Sequence, residues 1–457
     1  MSDLFGSLSA VSRSLAAQQT GLAVAGQNIA NVNTPGYTRR AVDLSASLPI
    51  DPYSAGNGVD IVGIRAERAD LIEAQLRHEL PAQGREAAMA DSLSQIETAL
   101  GRPGSSIDSS LTKFFTAFSQ LAQDPTSGVA RQQVMVQAQA LTGAFNDVAA
   151  RLASAQRDAD AQVKAGVDQI NGLATQIASL NASMNAVSAS GGEALRDKLG
   201  VALSTLSGLI DISVVARPDG GADVSVGNGH ALVIGASPYP LGTSPMAGSG
   251  LADLTSGGSI ITAAVTGGRV GGLLQVRDQL LPGYQARLDQ LANGVATSVN
   301  AVHRAGYDLS GIAGIDFFVP PAAVAGSAGT MAVSASIIAN SNLIAAAATP
   351  TPGDNQNARN ITNLHQTPIA GGTTNPVDTW AALVYRVGAD AQTAMNERAG
   401  RDEIMTQLQT LRDQISGVSL DEEAANMMKF QRAYEASARY FSAVDASLNV
   451  LMQMVRA

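Results

Sequence analysis

Residues able to do covalent or metal chemistry are few in this sequence and poorly spaced for it. The four histidines, His78, His230, His303 and His365, stand singly. None forms the His-x-x-x-His spacing that puts two ligands on one helix face, so they read as surface or helix residues. Cysteine is absent, which removes thiolate nucleophiles, Cys-ligated zinc and disulfides together. There is no Gly-x-Ser-x-Gly elbow and no phosphate-binding loop, and Gly227-Asn228-Gly229 lacks the third glycine of a dinucleotide turn. Gly353-Asp354-Asn355 reads as a turn bonded to backbone, since calcium needs more oxygen ligands at ordered spacing. Carboxylates are numerous, but no pair is set apart as acid and base. The expectation is a chain that is not an enzyme, with no catalytic residues, no metal and no cofactor.

Composition points the same way. The chain has 457 residues, enough for two to four domains; hydrophobic residues make up 45% but aromatics only 4%. Apolar content built from Ala, Leu and Val suits long packed helices better than an aromatic pocket. The net charge is −10 with a pI near 4.9, and there are only four lysines. Nucleic acid and anionic membrane surfaces both need clustered positive charge, so neither is an expected partner. No stretch reaches the roughly 18 apolar residues of a membrane span. The start, MSDLFGSLSAVSRSL, lacks a basic region followed by an apolar run, so any export would use a route without a cleaved signal peptide.

The elements that organise the chain lie at its two ends. Leu4, Leu8, Val11, Leu15, Gln18, Leu22, Ala25, Ile29 and Val32 alternate in steps of four and three. That is a heptad seam, which lets helices pack side by side over a long distance. It stops at Asn33-Thr34-Pro35-Gly36, strong stop chemistry for a helix. At the other end Met427, Phe430, Tyr434, Ser437, Phe441, Val444, Leu448, Leu451 and Val455 repeat the pattern. This second helix is expected to start near Ser419, with Glu422 as its capping-box partner. Seven or eight large side chains per arm, at about 1.5–3 kcal/mol each, give an upper bound on the order of 10–20 kcal/mol per arm. A lone helix cannot collect this. The arms should therefore pair with each other, and then with copies of themselves. The assembly residues expected are Leu4, Leu8, Val11, Leu15, Leu22, Ile29 and Val32 with Met427, Phe430, Tyr434, Phe441, Val444, Leu448, Leu451 and Val455.

Between the arms the pattern is mostly helical. Residues 128–188 read as one rod: Leu141, Phe145, Val148 and Leu152 step 4-3-4, Val163 follows after eleven residues like a coiled-coil stutter, and Ile170 to Val187 resume the heptad. Shorter helices are expected at 83–100, 108–122 and 193–209, and longer ones at 269–305, interrupted near Pro282-Gly283, and at 378–416. Trp380, the only tryptophan, should be core. Residues 210–266 alternate Ile212, Val214, Val224, Val226, Leu232 and Ile234 with small or polar residues between turn signals, a hairpin-rich β insertion. Residues 306–375 should be irregular, with strand candidates at 315–319 and 330–334. The fold class expected is mainly α with a β insertion. Its domains would be 1–70 with 417–457 as a terminal coiled coil, 71–209 with 269–416 as a helical rod carrying the irregular 306–375, and 210–268 as a projecting β unit.

Asn28-Ile29-Ala30-Asn31-Val32-Asn33-Thr34-Pro35-Gly36-Tyr37 resembles the N-terminal signature of flagellar rod, hook and hook-associated proteins. Residues 416–426 (SGVSLDEEAAN) and 430–438 (FQRAYEASA) are similar to the C-terminal signature of the hook-associated protein 1 family, and 353–358 and 300–308 to its internal segments. Asn28, Asn31, Asn33, Pro35, Gly36 and Tyr37 carry the N-terminal match. Taken as residues, the asparagines are helix-end and turn formers, since Asn tolerates the left-handed conformation. The resemblance implies a structural subunit of the bacterial flagellum, forming a ring between hook and filament. It implies terminal helices as an inner layer and middle domains facing outward. It further implies export through the flagellar type III apparatus, and as partners the hook protein, the second junction protein beside the filament, and an export chaperone on the C-terminal arm. The chain is short for that family, which implies a reduced outer β region. The alternatives are another axial subunit, hook or filament protein, and a soluble coiled-coil binding protein outside the flagellum.

Overall fold

The computed structural model describes residues 2–47, 58–101, 106–186, 192–351 and 353–456. In chain order, α1 (Ser2–Ala30) leads into a hairpin of β1 (Arg40–Ala46) and β2 (Val59–Ala66). Then come α2 (Asp70–Leu100), α3 (Ile107–Leu121), α4 (Gly128–Ala186) and α5 (Glu193–Leu209). Seven strands follow: β3 (Ile212–Ala216), β4 (Ala222–Val226), β5 (His230–Ile234), β6 (Ser237–Pro238), β7 (Leu241–Pro245), β8 (Ala252–Ser256) and β9 (Ser259–Ile260). The chain returns to helix as α6 (Gly268–Gln275), α7 (Leu281–Ala305), the short α8 (Ser327–Thr330) and α9 (Ala335–Ala339), α10 (Gln356–Asn363), α11 (Pro376–Ser416) and α12 (Leu420–Arg456). The mainly α reading with a small β insertion therefore holds.

The body is organised around α4, whose 59 residues span about 90 Å at 1.5 Å per residue. Its first half packs into a core with α3, α7, α10 and α11, where Phe114, Phe118, Phe317 and Phe318 meet edge-on or tilted at ring distances of 4.9–5.8 Å. Trp380 is buried in the same core, as expected. The second half of α4 builds a separate core with α5, α6 and the inner faces of the strands. The eleven-residue gap in the heptad falls at the border between the two. There Asp160, on α4, takes the Arg277 guanidinium at 2.7 Å and the Ala252 amide at 2.9 Å, and Arg277 is fully buried. Burial alone would raise the Asp160 carboxyl, but Lys164, the Ala252 amide and Arg277 together hold it below its ordinary range. A stutter thus marks the place where the rod trades apolar knobs for one ionic pin.

The strands form two antiparallel sheets, β3-β4-β5-β6 and β7-β8-β9. A register shift between Val224 and Ser225 lets both Leu232 and Val233 be buried and turns Ile234 outward, so the simple alternation read through Ile234 fails there.

Three features depart from the sequence expectation. Helix α2 begins at Asp70, not near 83, and runs through Pro81. The lost hydrogen bond costs about 3 kcal/mol in a helix interior, but α2 packs along α11, α5 and α6, and that burial outweighs it. At Pro282 the helix does not stop: Val276–Leu280 forms a π turn that delivers Pro282 into the first turn of α7, where a missing N–H is tolerated. The β1–β2 hairpin was not foreseen; its register shifts at Asp43/Leu44 and its outward residues are mixed, which hides the period of two. Residues 187–188 of the expected rod lie outside the described residues.

The 306–375 segment is irregular, and its strand candidates do meet: Val319 N–H bonds Ala332 O and Ser334 N–H bonds Phe317 O, both at 2.9 Å. Within it Ile344–Ala347 is buried as a thread whose backbone is met partly by other backbone and partly by side chains. Arg131 donates to Ile344 O (2.6 Å), His303 Nε2 accepts from Ala345 N–H (2.9 Å) and Asn357 donates to Ala345 O (2.7 Å). Asp354 accepts from the Ala348, Thr349 and Gln356 amides, so the Gly353-Asp354-Asn355 turn does structural work, as read.

Candidate assembly interface

Among the described residues, none of α1, β1, β2 or α12 belongs to either core. The terminal helices instead pack on each other, antiparallel. Their register is regular. Ser14 Oγ meets Ser437 Oγ at 3.3 Å, a Cβ on Gly21 would lie 2.6 Å from the Phe430 ring, and Asn28 Nδ2 donates to Glu423 Oε2 at 3.0 Å. These pairs advance by seven residues on each helix, a coiled-coil step. Phe430 is a knob that fits only because position 21 has no side chain.

The leucine stripe is not the centre of this contact. Among the described side chains of α1 the buried ones are Val11, Ala17, Gly21, Val24, Ala25 and Asn28. Leu8, Leu15, Leu22, Ile29 and Val32 are half-buried. The pairing line runs through 14, 21 and 28, one position before 15, 22 and 29, and one residue turns a helix by 100°. On α12, Val444 is buried, Met427, Phe430, Phe441 and Leu448 are half-buried, and Tyr434 and Leu451 are each 39% exposed. The side chains of Leu4 and Val455 lie outside the described residues. A single chain therefore buries far fewer than seven or eight large side chains per arm.

Asn28 lies in the last turn of α1 and is fully buried. An amide has two N–H donors and two acceptor lone pairs, and all four are used. Nδ2 donates to Arg40 O (2.8 Å) and Glu423 Oε2, while Oδ1 accepts from Arg40 N–H (3.0 Å) and Tyr37 Oη (2.8 Å). Burial, only partly offset by Arg40, raises the Tyr37 phenol and keeps it a donor. Arg39 crosses to α12, donating to Glu423 Oε1 and Glu422 Oε2, both at 2.8 Å. The expected capping box is thus half made: Ser419 Oγ accepts from Glu422 N–H at 3.5 Å, but the Glu422 carboxylate goes to Arg39. Asn31 and Thr34 hold the turn, Asn33 to Gly36 are exposed, and Gly36 has φ +75°.

Family models match three stretches of the chain. Residues 93–318 match the flagellar hook-associated protein FlgK helical domain, 412–454 the flagellar basal body rod FlgEFG protein C-terminal, and 9–38 the flagella basal body rod protein. Flagellar hook-associated protein 1 of Bacillus subtilis is 29% identical over 98% of both chains. That of Escherichia coli is 26% identical over 96% of this chain and 98% of its own. Along nearly its whole length the chain is similar to flagellar hook-associated protein 1. The flagellar hook junction protein FlgK from Burkholderia pseudomallei, 19% identical, shares the fold with a TM-score of 0.67 over 75% of this chain and 100% of its own.

In this chain the terminal pair meets the body through a polar joint. Asp197, on α5, accepts from Thr38 Oγ1 (3.0 Å), Arg68 (2.7 Å) and Arg40 (3.4 Å). Arg39 N–H and Ala69 N–H both bond Ser416. Side-chain spacing along the sequence could not reveal Asp197, because its three partners lie more than a hundred residues away. Ser14 and Gly21, which stand fourteen and seven residues before Asn28, are small residues whose spacing alone does not distinguish them from the leucine stripe beside them. No group of three metal-ligating side chains occurs among the described residues, and no described helix is long and apolar enough to cross a membrane.

Proposed function

We propose that this chain works as a structural subunit of the junction between hook and filament of the bacterial flagellum, entering that assembly through α1 and α12 and catalysing no reaction. The observation that carries the reading is the half-covered leucine stripe. Ser14, Gly21 and Asn28 hold the two helices in register, which leaves Leu8, Leu15, Leu22 and Ile29 flanking the seam and only half-buried. Further copies of the chain would complete that burial in a ring, at about 25 cal/mol per Å2 of apolar surface. Residues 1–70 with 417–457 then act as the assembling unit, and the rest as a body held to it by the Asp197 joint. Hook protein on one side and the second junction protein on the other are the neighbours proposed. An export chaperone on α12, and export without a cleaved signal peptide, belong to the same reading.

Complementation tests it. Leu15→Glu or Leu22→Glu, produced in a strain lacking this protein, should fail to restore filaments, while circular dichroism shows the body folded. Normal filament growth with either variant would sink the assembly role. Immunogold label in one band at the hook tip, rather than along a tube, separates a junction subunit from a hook or filament protein.

A further inference from the structure

The far end of helix α12 is exposed. The seven-residue steps that set Asn28 against Glu423 and Gly21 against Phe430 put Ser7 opposite Val444, and Ser2, the start of α1, opposite Asn449. Val450, Leu451, Met452 and Met454 lie beyond that point and are 53%, 39%, 56% and 71% exposed. Met428, on the same helix, is 55% exposed. Elsewhere Met135, Met184, Met331 and Met405 are buried. With no cysteine in the chain, thioethers are its only oxidisable sulfur, and among the described residues the most open of them sit on the arm.

We propose that Met428, Met452 and Met454 are a peroxide-sensitive modification site whose oxidation stops the subunit from being incorporated. A lone pair on the thioether sulfur attacks the distal oxygen of a hydroperoxide. The S–O bond forms as the O–O bond breaks, sulfur loses two electrons, and the proton of the distal oxygen passes to the leaving oxygen, which departs as water or an alcohol. The product, methionine sulfoxide, is polar and chiral. On Val450–Met454 it would place a strong hydrogen-bond acceptor where apolar contact is required. This part rests on the assembly reading above: once neighbouring subunits cover the arm the sulfurs are shielded, so oxidation acts on the subunit before it is built in. Methionine sulfoxide reductases reverse the change.

The test uses the full-length chain and hydrogen peroxide. Mass mapping over time should find Met428, Met452 and Met454 oxidised about tenfold faster than Met135, Met184, Met331 and Met405, because susceptibility follows exposure. Equal rates at buried and exposed positions would overturn the site. Oxidised protein should then lose binding to hooks isolated from a strain lacking it, whereas the triple variant Met428→Leu, Met452→Leu and Met454→Leu keeps binding after the same treatment. Oxidised wild type that binds as well as untreated protein, or a triple variant as sensitive as wild type, overturns the gate. If untreated protein fails to bind hooks, the junction reading falls and the gate with it, while the mapping still decides the modification site.

Discussion

Asn28→Ala tests how the arms are held. The substitution removes four hydrogen bonds at a side chain with no exposed surface. It strands the Arg40 N–H and C=O, the Tyr37 hydroxyl and one oxygen of Glu423. At about 0.5–1.5 kcal/mol per bond, with water returning to some of these groups, the net loss is about 3 kcal/mol. Against a helix pair in which Val11 and Val444 are the large apolar side chains buried near the free end, that is a large share of the local stability. It shifts the open–closed equilibrium by roughly a hundredfold, since each 1.4 kcal/mol is a factor of ten. Hydrogen exchange read by mass spectrometry should show amides of residues 17–30 and 421–437 exchanging about a hundredfold faster, with α4 and α7 unchanged. Asn28→Asp should be no better, because it keeps the acceptors, loses both donors and sets a second carboxylate against Glu423. Arm exchange within a factor of about two of wild type in Asn28→Ala would refute the claim that this amide joins the termini.

Gly21→Leu should separate the arms outright, because even its Cβ would meet the Phe430 ring at 2.6 Å; faster exchange along both helices checks this, and a Phe430→Ala partner change should restore pairing in part. Arg277→Met leaves Asp160 buried with Lys164 as its remaining charged partner, and should lower stability by about 3 kcal/mol in urea unfolding; an unchanged midpoint counts against the pin at the stutter. His303 gives a pH dependence. Burial lowers its pKa from 6.5 to about 4, and the neutral ring is needed, since Nε2 accepts from Ala345 N–H while Nδ1 faces Ile315 O at 2.5 Å. The unfolded chain therefore binds more protons in that window. Stability should fall as pH drops from 6.5 toward 4, by at most about 3 kcal/mol at 1.36 kcal/mol per unit. Thermal melts of wild type and His303→Gln across this range check it: the variant should show the shallower slope, and equal slopes would remove His303 as the cause.

Much of this protein was legible because its signals are local and periodic. The heptads of α1, α4 and α12, the breaks at Pro35-Gly36 and Gly227-Asn228-Gly229, and the alternation in 210–266 each depend on residues a few positions apart, and such patterns survive without knowledge of the fold. So do the missing histidine pairs and the missing cysteines. Tertiary structure alone decided which face of α1 turns inward. The stripe at Leu8, Leu15 and Leu22 and the line at Ser14, Gly21 and Asn28 both repeat every seven residues, and the choice between them rests on the Phe430 ring and the Glu423 carboxylate, about four hundred positions away. Pro81 was overridden for a similar reason, its local cost being outweighed by packing that α2 makes with helices distant in the chain. Asp197 and Arg277 are unremarkable as letters. They acquire meaning only where folding strips away their water and leaves a few long-range partners to replace it.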